Sequence, residues 1–158
     1  MWLLKSFSEL STTELYDIMV ARIQTFVVDQ HRVYQEVDEI DPRARHLFNY
    51  EDNHLVAYAR IFTEGTTVTF GRVLTTPAVR GQGYGRVLLQ HVMATLAARY
   101  PNYLIQIEAQ VQVQNFYRKF GFQPAGEVFL FNTTPHIRMT HQPLTTREVQ
   151  SASHLDHE

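Results

Sequence analysis

Cysteine is absent from the 158 residues of the sequence. This absence excludes disulfide-stapled folds, thiolate nucleophiles and thiolate zinc sites, and it is compatible with a reducing compartment. A chain of this length can bury one hydrophobic core without such links. We therefore expect one folded domain over residues 1–142, followed by a polar C-terminal tail over residues 143–158.

An excess of positive charge is also missing, because the formal net charge is −2. No global basic field is therefore available to attract nucleic acid. No window reaches the roughly 20 apolar residues that cross a bilayer, and the residues from Met1 to Phe7 lack the pattern of a signal peptide. The eight histidines include no HExxH pair, so no metal site is expected. These absences predict a cytoplasmic protein that binds neither nucleic acid nor membrane.

What is present begins with a capping box, Ser11-Thr12-Thr13-Glu14, followed by apolar residues at helical spacing, which together predict a helix over residues 12–29. The polar and acidic stretch from His31 to Arg45 is typical of a long surface loop. Strand-like runs over residues 44–50, 55–63 and 67–74 are separated by short turns and predict an antiparallel meander.

The remaining pattern adds an opening strand over residues 2–7, a helix from near Tyr84 to near Tyr100, and a strand over residues 103–108. A short helix around Tyr117 should end at Gly121, and a hairpin should follow around Asn132-Thr133-Thr134-Pro135. This order predicts an α+β fold with a mixed, mostly antiparallel central sheet flanked by helices, because strict βα alternation is absent.

The segment Arg80-Gly81-Gln82-Gly83-Tyr84-Gly85 lies between a predicted strand and a predicted helix. Glycines at alternate positions can take positive φ and let backbone N–H groups surround an anion at the start of a helix, which predicts a phosphate-bearing ligand. A Walker A loop is excluded because Gly85 is followed by Arg86-Val87. A Rossmann dinucleotide site, with Glu108 as the ribose-binding acid, remains an alternative interpretation. The pattern fits it less well, because position 86 is arginine where the Rossmann fingerprint has glycine or alanine.

A second segment, Phe116-Tyr117-Arg118-Lys119-Phe120-Gly121-Phe122, follows about thirty residues later. The two segments together resemble the (Arg/Gln)-x-x-Gly-x-(Gly/Ala) and Asn-x(6)-Tyr-x(3)-Gly-Phe signatures of GNAT N-acetyltransferases. Further likeness to the ElaA-like branch of that family is found in Phe26-Val27-Val28-Asp29-Gln30, Tyr34-Gln35-Glu36-Val37-Asp38, Ala109-Gln110 and Pro135-His136-Ile137-Arg138-Met139. The resemblance covers most of residues 1–140.

The resemblance implies direct transfer of an acetyl group from acetyl-CoA to an amine, without a covalent enzyme intermediate. It implies that a backbone N–H near Val73 and Leu74 polarises the thioester carbonyl, and that Tyr117 protonates the departing thiolate. Gln110 occupies the place of the signature's asparagine, and Asn115 lies nearer the tyrosine. The implied cofactor-binding residues are Val73, Leu74, Arg80, Gly81, Gln82, Gly83, Tyr84, Gly85, Gln110, Asn115 and Tyr117.

The base that deprotonates the acceptor amine is left open by the sequence. Candidates are Glu36, Asp38, Glu108 and His136, of which Glu36 and His136 are retained with Tyr117 as catalytic candidates. Glu36 and Asp38 are also typical of solvated loop acids. A non-catalytic module that senses acetyl-CoA and signals to a partner remains the alternative function. The acceptor is expected to be a small-molecule or protein amine, and the resemblance allows a homodimer.

Overall fold

The structure is a computed structural model that describes residues 1–145. Residues 146–158, and so most of the predicted polar tail, lie outside the described residues. The described residues divide into two compact units: the first comprises Met1–Phe62 and Phe70–Leu89, and the second comprises Thr63–Thr69 and residues 90–145. Within the described range, every helix is too short or too polar to cross a membrane.

The first unit contains an antiparallel meander that follows a strand and a helix, as predicted. Its elements are β1 (Trp2–Ser6), α1 (Thr12–Ile23), β2 (Arg45–Glu51) and β3 (His54–Glu64), with most of β4 (Thr67–Thr75) and the start of α2 (Tyr84–Arg99). The strand order is β1-β2-β3-β4. β1 and β2 are antiparallel from Trp2↔Asn49 to Ser6↔Arg45. Helix α1 and strands β2, β3 and β4 contribute the residues of a buried core: Ile18, Phe48, Leu55, Tyr58 and Leu74.

Helix α1 begins at the predicted capping box. The Glu14 N–H donates to Ser11 Oγ over 3.0 Å, and the Ser11 N–H donates to Glu14 Oε1 over 2.8 Å, which satisfies two amides that lack partners within the helix. The predicted extent to Asp29 is nearly right, but the last turns, Gln24–Val28, are π-helical. There the Asp29 N–H reaches back five residues to the Gln24 carbonyl.

The second unit contains the end of α2 and five elements that the sequence only partly predicts. They are β5 (Leu104–Gln110), α3 (Gln114–Arg118), β6 (Gln123–Pro124), β7 (Phe129–Phe131) and β8 (Thr134–His141). The strand order is β4-β5-β8-β6, with β7 also paired to β8. β4 and β5 are parallel at Thr67↔Leu104 and Val68↔Ile105, whereas the three pairings of β8 are antiparallel. The sheet is therefore mixed and mostly antiparallel, as predicted.

Two turns in this unit follow from their residues. Gly121 has a φ of 89°, which lets the Phe122 N–H donate to the Tyr117 carbonyl over 3.2 Å and closes α3 as predicted. The hairpin turn is tighter than predicted: Asn132 and Thr133 both have positive φ, and β8 already begins at Thr134. The two-residue strand β6 was not predicted, because it is too short to give an alternating pattern.

Candidate functional site

The glycine segment forms the turn that leads from β4 into α2. Gly81 and Gly83 have φ values of 79° and 70°, which residues with a Cβ rarely adopt. A Cβ added at either position meets nothing within 4 Å, so the backbone there faces open space that a phosphate could enter. Because α2 starts at Tyr84, the positive end of its dipole favours an anion at this turn.

Tyr84, the first residue of α2, is held by residues of the meander. Its hydroxyl accepts from Asn49 Nδ2 and donates to Glu51 Oε1 over 2.9 Å. Its ring stacks on Trp2 with the centroids 6.1 Å apart. Burial, with the carboxylate of Glu51 alongside, raises the pKa of Tyr84. These contacts fix the start of α2, and therefore the glycine turn, to β1 and β2.

Val73 and Leu74 follow a residue with unusual backbone geometry. Arg72 has a φ of 51°, in the left-handed region, although it lies inside β4 and is not a glycine. Val73 is half-buried and Leu74 is 3% exposed. A left-handed residue interrupts the regular pleat and re-aims the peptide groups that follow it. The predicted N–H donors therefore lie directly after an irregular point in the strand.

The prediction of a surface loop over residues 31–45 is wrong for two acidic residues, because the side chains of Glu36 and Asp41 are buried: these residues are only 4% and 2% exposed. Both carboxylates contact Arg22, which is fully buried on α1: Arg22 Nε donates to Glu36 Oε1 over 3.0 Å and Nη1 to Asp41 Oδ1 over 2.6 Å. Arg60 binds Asp38 Oδ1 at 2.7 Å and Asp41 Oδ1 at 3.0 Å. A buried charge is costly unless it is paired in this way, so the pairing explains the burial.

Glu36 also accepts hydrogen bonds from Arg72 and Tyr34. Arg72 Nε lies 2.9 Å from Oε1 and 2.8 Å from Oε2, and Arg72 Nη2 donates to the Glu36 carbonyl. The Tyr34 hydroxyl donates to Oε2. Burial, and then this hydrogen bond, raise the pKa of Tyr34 to about 12. Both carboxylate oxygens of Glu36 are therefore engaged, which suits an anchor better than the base that the sequence predicted.

Asp41 and His46 complete this buried group. Burial acts to raise the pKa of Asp41, but the hydrogen bonds and charge of Arg22 outweigh it and hold the pKa at about 2. His46 Nδ1 lies 2.6 Å from the Tyr58 hydroxyl and Nε2 lies 3.0 Å from the Asp41 carbonyl. Burial lowers the pKa of His46. A neutral imidazole that donates from Nε2 and accepts at Nδ1 satisfies both contacts.

Tyr117 lies on α3 in the second unit and is 8% exposed. Its ring makes edge contacts with Phe116 and Phe122 at centroid distances of 5.3 Å and 6.0 Å. Burial raises the pKa of Tyr117 to about 12. The phenol is therefore protonated across the whole neutral range, and it can act as a donor but not as a base.

The amide candidates flank the short 3-10 turn Val111–Val113, which joins β5 to α3. Gln110 ends β5 and is half-buried, and Asn115 lies on α3 and is exposed. Gln112 Nε2 donates to Gln110 Oε1 over 2.7 Å. This bond fixes which end of the Gln110 amide is the acceptor, and it directs the NH₂ group elsewhere.

His136 lies on β8 and is 7% exposed, between Phe129 and Phe131 of the neighbouring strand β7. Its Nδ1 lies 2.8 Å from the Thr134 carbonyl. Because a carbonyl can only accept, Nδ1 carries the proton of the neutral ring and Nε2 keeps the lone pair. Glu108 is exposed and faces Arg138 across β5 and β8 at 4.0 Å. Of these two groups, only His136 is held in a fixed orientation by a short hydrogen bond.

The structure groups the predicted residues by unit. The first unit brings together the glycine turn, Val73, Leu74 and Glu36, and the second contains Tyr117, Gln110, Asn115 and His136. Sequence reasoning missed the arginines that bind the loop acids: Arg22, Arg60 and Arg72. One signal could have found the first of them, because Arg22 follows the buried Ile18 by four residues and so lies on the same face of α1.

Comparison with known proteins shows the family of the chain. A family model described as the acetyltransferase (GNAT) domain matches residues 9–143. The chain is 36% identical to protein ElaA of Escherichia coli over 140 residues, which are 85% of this chain and 92% of ElaA. An acyl-CoA N-acyltransferase structure from Pseudomonas aeruginosa has a TM-score of 0.85 at 33% identity, over 89% of this chain and 98% of that one. The crystal structure of Escherichia coli ElaA has a TM-score of 0.84 at 35% identity, over 90% and 99% respectively. The predicted GNAT fold and ElaA-like resemblance are confirmed, and the chain belongs to the GNAT acetyltransferase family.

Proposed function

We propose that the protein transfers an acetyl group from acetyl-CoA directly to the amine of a small molecule or protein. The observation that carries this proposal is the turn at Gly81 and Gly83, where both glycines have positive φ and an added Cβ meets nothing within 4 Å, directly before α2. The pyrophosphate of coenzyme A is the anion for which this turn is proposed. Arg80 and Gln82 are both exposed beside it, where they can contact the same phosphates.

The acyl end of the donor is proposed to lie against β4 after Arg72. There the N–H of Val73 or Leu74 donates to the thioester oxygen as negative charge develops on it. The amine nitrogen attacks the carbonyl carbon, the C–S bond breaks, and coenzyme A leaves as a thiolate. Tyr117, neutral because its pKa is about 12, donates a hydrogen bond to that sulfur. Gln110 and Asn115 are proposed to contact the pantetheine or pyrophosphate.

An attacking ammonium must first lose a proton, and His136 is the proposed base. Its Nδ1–H is held by the Thr134 carbonyl, so its Nε2 lone pair is the group that can accept the proton. Glu36 is not proposed for this step, because Arg22, Arg72 and Tyr34 occupy its oxygens. The cytoplasmic location stays a prediction from the sequence.

The test is a screen of amine acceptors with acetyl-CoA, in which released thiol is measured with a thiol reagent. The proposal expects acceptor-dependent release and a mass gain of one acetyl group on the amine. Saturable acetyl-CoA binding without release for any acceptor would refute the transfer and favour the sensing module. Absence of acetyl-CoA binding would refute both functions.

A further inference from the structure

Arg72 holds a backbone conformation that an arginine does not adopt without support. Its φ of 51° lies in the left-handed region, where the Cβ crowds the carbonyl that follows, and such residues persist only when their surroundings hold them. The residue lies inside β4, immediately before Val73. Because peptide groups are planar, the rotation of the backbone at Arg72 decides where the Val73 N–H points.

The support comes from the Arg72 side chain. Its Nε lies within 2.9 Å of both carboxylate oxygens of Glu36, its Nη2 donates to the Glu36 carbonyl over 3.2 Å, and Nη2 lies 3.6 Å from Asp38 Oδ2. Glu36 is itself held by Arg22 and Tyr34. The guanidinium is therefore bound to a buried and fixed partner. Because the planar guanidinium is hydrogen-bonded at several points, it restrains the backbone of Arg72.

We propose that Arg72 is a positioning residue, and that its clamp on Glu36 holds the left-handed conformation at position 72 of β4 that aims the N–H of Val73 or Leu74 at the thioester oxygen. This inference rests on the proposed acetyl transfer. It gives the acidic loop a function in catalysis, since the loop supplies the carboxylate to which the strand is tied. Arg72 itself need not touch either substrate.

The test compares Arg72→Ala with Arg72→Gly. Both variants delete the clamp, but only alanine keeps the Cβ that disfavours positive φ, whereas glycine adopts it freely. Alanine should therefore let the strand relax, and kcat should fall on the order of 10-fold or more, as when an oxyanion donor is misplaced. Glycine should retain a kcat at least several-fold above that of alanine. The KM for acetyl-CoA should change much less than kcat in both.

Asp52 provides the matched control, because it has a φ of 49° in the turn between β2 and β3. Asp52→Ala and Asp52→Gly should differ in melting temperature but have the same kcat. Backbone NMR gives a readout that does not depend on activity: the Val73 and Leu74 amide resonances should move further in Arg72→Ala than in Arg72→Gly. Should Arg72→Ala fail to fold, Arg72→Lys replaces it, since lysine keeps the charge and the Cβ but loses the fork.

Equal losses of kcat in the two variants would overturn the proposal. Such a result is expected if the Arg72 guanidinium acts directly on a substrate, because both variants lack it. Unchanged kcat in both would overturn it as well. A wild-type protein that binds acetyl-CoA without turnover would instead refute the acetyl transfer. In that case the NMR spectra test the role of the clamp. Val73 and Leu74 amide resonances that move in Arg72→Ala but not in Arg72→Gly support it, and resonances that move in neither variant refute it.

Discussion

Replacing Tyr117 with phenylalanine removes one buried hydroxyl and keeps the ring. The ring contacts with Phe116 and Phe122 should persist, so the free energy of unfolding should change by no more than about 1 kcal/mol. The turnover number, in contrast, should fall if the hydroxyl acts on the leaving group. The variant therefore separates a catalytic phenol from a packing residue.

The size of the expected loss follows from the pKa of Tyr117, which burial raises to about 12. A thiol has a pKa of about 8.5, so complete proton transfer from this phenol to the thiolate would be uphill by roughly 5 kcal/mol. The hydroxyl should therefore contribute a hydrogen bond to the developing charge, of about 1.5–3 kcal/mol. Loss of that bond predicts a fall in kcat of about 10- to 100-fold. Because the bond forms only in the transition state, kcat and kcat/KM should fall together.

Steady-state thiol release with acetyl-CoA, and then with an acyl-thioester of a poorer leaving thiol, measures this loss. Tyr103→Phe is the matched control, since Tyr103 is a half-buried tyrosine of the same unit and its hydroxyl has no proposed role. The defect should be larger with the poorer leaving group. Wild-type turnover by Tyr117→Phe with both donors would remove the hydroxyl from the mechanism, and a lower melting temperature alone would assign it to packing.

Three other predictions concern binding and stability. Gly83→Val should weaken acetyl-CoA binding at least about tenfold by blocking the turn, whereas Gly65→Val, at an equally open glycine with φ of 58°, should cost only stability; equal affinities by calorimetry would contradict this. Acetyl-CoA should raise the melting temperature and NAD should not, and the reverse would favour a Rossmann site. The unfolding free energy should fall by roughly 2 kcal/mol as the pH drops from about 4 to 2, because the pKa of Asp41 is lowered from its ordinary 3.8 to about 2 in the folded protein. Denaturant titrations in which Asp41→Asn shows the same loss of unfolding free energy between these pH values would refute that assignment.

Local signals in the sequence predicted most elements correctly. The Ser11 and Glu14 capping box marks the start of α1, and the alternate glycines mark the start of α2. Gly121 marks the end of α3 because only a few residue types tolerate its φ of 89°. In each case the residues that decide the structure are adjacent in the chain, so their pattern contains the information.

The backbone at Arg72 could not be predicted in this way. Arginine carries no preference for positive φ, and Gly71 before it signals an irregular strand without indicating that Arg72 is the left-handed residue. Its conformation depends on Glu36, which lies 36 positions earlier. Glu14 of the capping box and the glycines determine the structure of residues next to them in the chain, whereas the backbone of Arg72 is held by a tertiary contact.

The burial of charge in the acidic loop has the same origin. Three arginines, at positions 22, 60 and 72, meet the three carboxylates of Glu36, Asp38 and Asp41, so the formal charges of the group cancel. Each charge by itself predicts a solvated side chain, and only the complete set makes burial tolerable. Each member contacts two opposite charges, so removing one leaves the group with an uncompensated net charge in a largely buried place, which costs more than losing a surface ion pair. The loop that its polar and acidic composition assigned to the surface is thus tied to α1, β3 and β4, and it can hold the strand whose amides are proposed to face the thioester.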